Sequence, residues 1–123
     1  MTQGKRILVV EDDPASMELA AFILEDAGFA VARATDAVAA VEALGTLMPD
    51  IVLMDIHLPG CDGLELLKRV RALPGSERLK ILALTAHAMR GDRERFLEEG
   101  FDGYIAKPIS VRTFVKDVLS QAG

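Results

Sequence analysis

Three runs of aliphatic residues, at positions 7–10, 51–54 and 81–84, restrict the possible folds of this chain more than any other feature. None of the runs alternates with polar residues, as a strand with one solvated face does. Such uninterrupted runs are typical of strands that are buried on both faces. They therefore predict a parallel β-sheet that is covered by helices on each side.

Between these runs, the sequence has the caps and the periodicity of helices. Asp13 and Pro14 predict the start of a first helix, and Gly28 predicts its end. Asp36 predicts the start of a second helix. The apolar faces predicted for these helices are Met17, Ala20, Ala21, Leu24 and Ala27 in the first, and Ala37, Val38, Val41 and Leu44 in the second.

The remaining elements have weaker signals. Residues 29–33 and 102–106 predict two further strands. A third helix should end before Pro74, and residues 92–99 predict a fourth helix, which has few apolar residues and is the least firmly anchored. Ser110 predicts the cap of a fifth helix. The apolar positions assigned to the third and fifth helices are Leu64, Leu67 and Val70, and Val111, Phe114, Val115, Val118 and Leu119.

Strands that alternate with helices predict a doubly wound α/β fold with five parallel strands and five helices. We expect a single domain over residues 1–123, because no linker or repeat divides the chain and no length remains for an effector domain. For five strands, the flavodoxin-like order 2-1-3-4-5 is favoured. Ligands of such sheets bind beyond the carboxyl ends of the strands, where the strand order reverses between strands 1 and 3.

Composition narrows the classes of partner. The net charge of -5 would repel a phosphate backbone, so we expect no direct binding to nucleic acid. Residues 1–62 contain 3 basic and 11 acidic residues, whereas residues 63–123 contain 11 basic and 8 acidic residues. Any cation site should therefore lie in the acidic first half.

Cys61 is the only cysteine, which excludes an internal disulfide and fits a reducing compartment. The apolar runs are too short to cross a bilayer, and the first residues lack the apolar core of a signal peptide. We therefore expect a cytoplasmic protein without membrane insertion.

Acidic residues follow the two strands that flank the reversal of strand order. Glu11, Asp12 and Asp13 follow strand 1, and Asp55 follows the aliphatic run of strand 3. Carboxylates that converge on one crevice repel each other unless a cation offsets their charge, and hard oxygen ligands suit Mg²⁺. The alternative is that these residues form a solvated rim or cap the first helix, as Asp13 is expected to do.

A hydroxyl and an ammonium group lie at the ends of strands 4 and 5, on Thr85 and Lys107. Together with a divalent ion, they would surround one carboxylate with groups that bind a three-oxygen anion. Each signal alone is weak, because threonine is common at strand ends and lysine is usually solvated. Their joint placement at the strand ends predicts an anion site on that carboxylate.

Four segments resemble the receiver domain of two-component response regulators. They are Ile7-Leu8-Val9-Val10-Glu11-Asp12, Leu53-Met54-Asp55-Ile56-His57-Leu58-Pro59-Gly60, Leu84-Thr85-Ala86 and Tyr104-Ile105-Ala106-Lys107-Pro108-Ile109. The resemblance covers essentially the whole chain. Residues 85–92 and 100–104 are further similar to stand-alone cell-division regulators of the DivK type and to receivers attached to hybrid kinases.

The resemblance implies a phosphoryl acceptor at Asp55 and a magnesium site. Asp12 and Asp55 would bind Mg²⁺ directly together with the backbone carbonyl of His57, and Glu11 would contribute through water. Glu11 departs from the aspartate that many members have, which leaves its exact contact open.

The resemblance also assigns roles around the acceptor. Thr85 and Lys107 would contact the phosphoryl oxygens, and the bond before Pro108 would be cis. Tyr104 would report the phosphorylation state, so that an output protein binds the face of helix 4, strand 5 and helix 5. The phosphoryl donor would be a sensor histidine kinase or a histidine phosphotransfer protein.

Two other patterns have plainer interpretations. His57, Cys61 and His87 suggest a zinc set, but no fourth ligand is evident and the carboxylates select a harder ion. Arg90, Arg93 and Arg95 suggest nucleic acid, but acidic residues alternate with them, so we expect a solvated or partner-facing helix.

Three functions remain as hypotheses. The first is a phosphoryl-accepting switch that is not an enzyme beyond its own phosphorylation and slow dephosphorylation; as a variant, it relays phosphate to a histidine phosphotransfer protein. The second is a phosphatase that acts on small molecules through an aspartyl phosphate, for which the loops are too short to form a substrate pocket. The third, a nucleotide- or flavin-binding module, would need a glycine-rich turn after strand 1.

Overall fold

The computed structural model describes residues 5–46, 48–58, 61–86 and 91–122, without the side chains of Cys61 and Arg93. In this part of the chain, strands and helices alternate as predicted. The strands are β1 (Arg6–Val10), β2 (Ala30–Ala34), β3 (Ile51–Asp55), β4 (Lys80–Thr85) and β5 (Gly103–Ala106). The helices are α1 (Pro14–Asp26), α2 (Ala37–Thr46), α3 (Gly63–Arg71), α4 (Asp92–Glu99) and α5 (Phe114–Ala122).

The five strands form one parallel sheet in the order β2-β1-β3-β4-β5, which confirms the predicted topology. A short antiparallel ladder pairs residues 57–58 with residues 61–62 between β3 and α3. A 3₁₀ turn at Ser76–Arg78 precedes β4.

The aliphatic runs are buried because alternate residues point to opposite faces of the sheet and both faces are covered. Leu8, Val52 and Ile81 belong to the core on the side of α2, α3 and α4. Their neighbours Ile7, Leu53 and Leu82 belong to the core on the side of α1 and α5. Thus the pattern that predicted a two-sided sheet corresponds to two hydrophobic cores.

The predicted caps of the first two helices are present. Asp13 accepts a hydrogen bond from the amide of Ser16 (2.9 Å), and Asp36 accepts one from the amide of Ala39 (2.8 Å). Asp62 caps α3 in the same way through the amide of Leu64 (3.0 Å), a cap that the sequence analysis did not identify.

Four predicted details are wrong. The fifth helix begins at Phe114 rather than directly after Ser110, because residues 111–113 form a turn in which Val111 is 65% exposed. Val38 is 64% exposed rather than on the apolar face of α2, which is formed by Ala37, Ala40 and Leu44. The second strand begins and ends one residue later than predicted, and the fifth begins one residue later.

Helix α4 is anchored mainly through one ring, as its composition predicted. Phe96 is buried and packs edge-on against Phe101, with ring centroids 5.8 Å apart. Leu97 remains 42% exposed. Gly91 and Gly100 flank the helix with positive φ angles, which suits residues without a Cβ atom.

The carboxyl end of α4 is also held by a side chain that the sequence analysis did not single out. The Arg71 guanidinium donates hydrogen bonds to the carbonyls of Leu79 (2.8 Å) and Gly100 (3.1 Å) and to the Asp102 carboxylate (2.7 Å). Asp102 in turn accepts the amide of Ile81 (2.8 Å). Arg71 therefore joins α3, the start of β4 and the segment between α4 and β5.

We expect Arg71→Ala to lower the free energy of unfolding by about 2 kcal/mol, since it leaves several part-buried acceptors without their donor. Arg69→Ala is the matched control, because the contact described for Arg69 is an exposed ion pair with Glu65, whose loss should cost about 0.5 kcal/mol or less. Urea unfolding of both variants measures the difference. Equal losses would contradict a special role for Arg71.

Candidate functional site

The carboxyl ends of the parallel strands bring the predicted site residues to one edge of the sheet. Glu11 follows β1, Asp55 ends β3, Thr85 ends β4, and Lys107 follows β5. Strands β1, β3, β4 and β5 are neighbours in that order. Because all four run in the same direction, their last residues converge at the reversal of strand order.

Three carboxylates form a compact group at this edge. One oxygen each from Glu11, Asp12 and Asp55 lies within 4.8 Å of the others. Glu11 is 2% exposed and Asp55 is 5% exposed, whereas Asp12 is exposed to solvent. The predicted convergence of these carboxylates is thus present.

Lys107 lies among these carboxylates rather than in solvent. Its ammonium nitrogen is 3.1 Å from Oδ2 of Asp55 and also forms an ion pair with Oε1 of Glu11. The bond between Lys107 and Pro108 is cis, as the family resemblance implied. The Glu11–Lys107 pair was not predicted from the sequence, although the longer glutamate arm at this position was a signal for it.

The two buried carboxyls differ in their affinity for protons. Burial raises the pKa of Glu11, and a hydrogen bond with Asp55 raises this pKa further. Burial alone would also raise the pKa of Asp55, but hydrogen bonds with Glu11, the His57 amide and Lys107 outweigh burial, so this pKa is lowered. Asp55 is therefore the carboxyl that stays ionised more readily and keeps its oxygens available as ligands or as a nucleophile.

Lys107 stays protonated in this setting. Burial would lower the pKa of its ammonium group, but hydrogen bonds and charge attraction from Glu11 and Asp55 outweigh burial and raise it. A permanent cation beside Asp55 can offset part of the charge of an incoming anion.

Both oxygens of Asp55 accept hydrogen bonds from nearby groups. Oδ1 accepts the backbone amide of His57 (2.9 Å), and Oδ2 accepts Lys107. These contacts orient the carboxylate. The role assigned to the backbone carbonyl of His57, as a metal ligand, stays a prediction.

Thr85 lies at the end of β4 and is 1% exposed. Its carbonyl accepts the amide of Lys107 (2.8 Å), so the backbone of the two residues is joined at the site. The predicted contact between its hydroxyl and a phosphoryl group stays a prediction.

Tyr104 is partly buried, not a fully exposed strand aromatic. It pairs with Ala83 in the β4–β5 register, and its ring lies 5.6 Å from that of Phe96 in α4. Ala83 and Thr85 are two residues apart in β4 and therefore share a face of the sheet. Because Tyr104 pairs with Ala83, it lies on that same face. This position connects the end of β4 with α4.

Asp13 is not part of the carboxylate group. Its side chain caps α1 by accepting the amide and hydroxyl of Ser16, and these hydrogen bonds lower its pKa. The helix-cap interpretation is therefore confirmed for Asp13.

The suggested zinc set is only partly within the described chain. His57 is exposed, whereas the Cys61 side chain and His87 lie outside the described residues. Among the His, Cys, Asp and Glu side chains that the structure describes, the one group of three placed to hold an ion is Glu11, Asp12 and Asp55. These ligands offer only oxygen, which fits Mg²⁺ better than zinc.

The three arginines that suggested nucleic-acid binding are only partly within the described chain. Arg90 and the side chain of Arg93 lie outside the described residues, while Arg95 forms an ion pair with Asp92 (3.1 Å). None of the described helices is both long and apolar enough to cross a membrane.

Comparisons with known proteins agree with this arrangement. A family model for the response regulator receiver domain matches residues 7–119. The polar-differentiation response regulator DivK of Brucella anthropi is 35% identical over 119 residues, which cover 97% of this chain and 97% of DivK. The sensor protein GacS of Pseudomonas syringae pv. syringae is 38% identical over 125 residues, which cover 99% of this chain but only 14% of GacS.

A solved structure is similar to this chain in both fold and sequence. The receiver domain of sensor histidine kinase PA1611 from Pseudomonas aeruginosa PAO1 matches with a TM-score of 0.84 and 34% identity, over 98% of each chain. That structure is described as having a magnesium ion coordinated in its active site cleft.

Proposed function

Since this chain belongs to the response regulator receiver family of two-component signalling, we propose that it is a phosphoryl-accepting switch with Asp55 as the acceptor. One observation carries this assignment. Asp55 ends the central strand β3, with the Lys107 ammonium 3.1 Å from one oxygen and with Glu11 and Asp12 beside it. Glu11 is also buried in this group, but its pKa is raised whereas that of Asp55 is lowered, so Asp55 is the better nucleophile of the two.

The donor set supports a magnesium site. We propose that Asp12, Asp55 and the backbone carbonyl of His57 hold Mg²⁺ directly and that Glu11 contributes through water. When bound, Mg²⁺ would offset the charge of the carboxylates and of the transferring phosphoryl group. The site in the PA1611 receiver domain, which is 34% identical, supports the same ion here.

The residues of the chain supply the remaining chemistry. An oxygen of Asp55 attacks the phosphorus of a phosphohistidine, so that a phosphorus–oxygen bond forms as the phosphorus–nitrogen bond breaks. Lys107 and the Thr85 hydroxyl then bind oxygens of the phosphoryl group. Because Lys107 is held by Glu11 and Asp55 beforehand, little reorganisation is needed for this contact.

The donor in this proposal is a sensor histidine kinase or a histidine phosphotransfer protein. GacS, whose sequence this chain matches over a short part, is a sensor protein. The alternative is a relay that passes the phosphoryl group on to a histidine phosphotransfer protein. We propose a single-domain regulator of cell-cycle events in the cytoplasm, with no catalysis beyond its own phosphorylation and slow dephosphorylation. The similarity to the polar-differentiation response regulator DivK supports the regulatory role.

Intact-mass measurement after incubation with acetyl phosphate and Mg²⁺ tests this function. A switch gains one phosphoryl group and loses it slowly. A small-molecule phosphatase, the competing function, would release inorganic phosphate with rapid turnover and no lasting mass gain. Absence of both results would contradict the proposal.

We propose that the conformational response to phosphorylation passes from Thr85 to Tyr104 and α4. The two side chains lie on one face of the sheet, and the small Ala83, which pairs with Tyr104 in the register, directly precedes Thr85 on that face of β4. If phosphate draws Thr85 inward, space opens beside the Tyr104 ring, whose contact on α4 is Phe96. The face of α4, β5 and α5 should therefore change and bind the output protein.

We expect Thr85→Ala to accept the phosphoryl group on Asp55 but to lose the response of this face. Hydrogen exchange measured by mass spectrometry should change on phosphorylation in residues 91–106 of the wild type and not in the variant. Thr85→Ser is the control, because it retains the hydroxyl and should respond. A wild-type response confined to α1 and α2 would show that this route is wrong.

A further inference from the structure

A basic pocket lies at the amino ends of the strands, opposite the carboxylate group. Its volume is about 290 Å³, and Lys5, Arg78 and Lys80 line it with Asp50. Ile51 and Asp55 are the first and last residues of β3, so the pocket and the acceptor lie about 13 Å apart along that strand. A ligand in this basic pocket would not cover Asp55.

In the described part of the chain, the cations of the basic pocket are not paired with a carboxylate. Within residues 5–46, 48–58, 61–86 and 91–122, no carboxylate pairs with the side chain of Lys5, Arg78 or Lys80. Asp50, the acidic residue in the pocket, uses Oδ2 to accept the backbone amide of Arg6 (2.9 Å). Positive charge is thus concentrated here in a chain whose net charge is -5.

The rest of the lining is apolar. Ile51 is buried, and Leu119 and Ala122, both in the last turns of α5, are partly exposed. Such a floor favours a ligand that has an aliphatic group next to its anionic groups. A nucleic acid offers no aliphatic side chain, and its extended phosphate backbone would also meet the acidic first half of the chain.

We propose that the basic pocket binds an acidic segment of a partner protein. Glutamate or aspartate side chains of the segment pair with Lys5, Arg78 and Lys80, and one aliphatic side chain lies on the floor. The proposal concerns a second contact surface and does not depend on phosphorylation of Asp55.

Fluorescence anisotropy with a labelled Glu-Glu-Leu-Glu-Glu peptide tests the proposal, at about 0.01 M ionic strength, where charges act over about 30 Å. The double variant Arg78→Glu, Lys80→Glu should weaken binding by about tenfold or more. The matched control is Lys68→Glu, Lys116→Glu, which reverses two exposed cations outside the pocket and should weaken binding by about twofold or less. Circular dichroism establishes that both variants are folded.

Two further probes separate the alternatives. A Glu-Glu-Ser-Glu-Glu peptide should bind more weakly, because serine cannot use the apolar floor. A short DNA duplex should not bind more tightly than the acidic peptide. The proposal is overturned by equal losses in the two double variants, by the absence of saturable peptide binding, by equal affinity for the serine peptide, or by tighter binding of the duplex.

Discussion

Replacing Asp55 with asparagine is expected to abolish the gain of one phosphoryl group while leaving the fold intact. Asparagine has nearly the same shape and can still accept the His57 amide, a contact now made at 2.9 Å. It lacks the ionised oxygen that attacks phosphorus, so transfer to this position should fall below detection. Intact-mass spectrometry with acetyl phosphate and Mg²⁺ measures the result, and circular dichroism reports the fold.

Asp36→Asn is a suitable control for this experiment. Asp36 caps α2 and is exposed, and asparagine caps helices about as well, so the variant changes the same charge without affecting the site. It should gain the phosphoryl group as the wild type does. A full mass gain in Asp55→Asn would mean that the acceptor is a different residue.

The positions of the site residues could be predicted because they depend on topology. Once the aliphatic runs are strands of a parallel sheet, the ends of β1, β3, β4 and β5 must meet at one edge. Glu11, Asp55, Thr85 and Lys107 then lie together whatever their rotamers are. Burial on both faces is a strong signal, which is why β1, β3 and β4 were found from pattern alone, whereas β5 had a weaker signal.

Side-chain pairing could not be predicted in the same way. The Glu11–Lys107 ion pair joins residues 96 positions apart, and its formation depends on arm length and rotamer rather than on hydrophobic period. Arg71 is similar, because its acceptors come from two segments that are distant in the sequence, one before β4 and one between α4 and β5. In the sequence, nothing distinguishes Arg71 from other polar residues at the end of an amphipathic helix.

The errors in the helices have a common physical cause. Valine at positions 38 and 111 was assigned to apolar faces because it is apolar, yet both side chains are more than 60% exposed. Single apolar side chains are common on protein surfaces, so one residue does not define a face. In α2, the buried residues are the small Ala37 and Ala40 together with Leu44.

The second large effect is expected on magnesium binding. Asp12→Ala removes the exposed member of the carboxylate group, which is the one most accessible to an ion from solvent. We expect the affinity for Mg²⁺ to fall by about tenfold to a hundredfold, the range found when groups supporting a metal site are lost. Isothermal titration calorimetry measures the change.

Without the ion, the same substitution should not destabilise the chain. Lys107 offsets part of the negative charge of Glu11 and Asp55, so Asp12 adds a repulsion of about 1 kcal/mol or less in an exposed setting. The metal-free variant should therefore unfold at a temperature equal to or above that of the metal-free wild type. Added Mg²⁺ should then raise the unfolding temperature of the wild type much more than that of the variant.

Asp26→Ala is the charge-matched control for both measurements. Asp26 is an exposed carboxylate at the last residue of α1, far along the helix from Asp12. Its removal should leave Mg²⁺ affinity unchanged, because it contributes no ligand. If Asp12→Ala bound Mg²⁺ as tightly as Asp26→Ala, the ion would have to be held elsewhere, and the grouping of Glu11, Asp12 and Asp55 would not be a metal site.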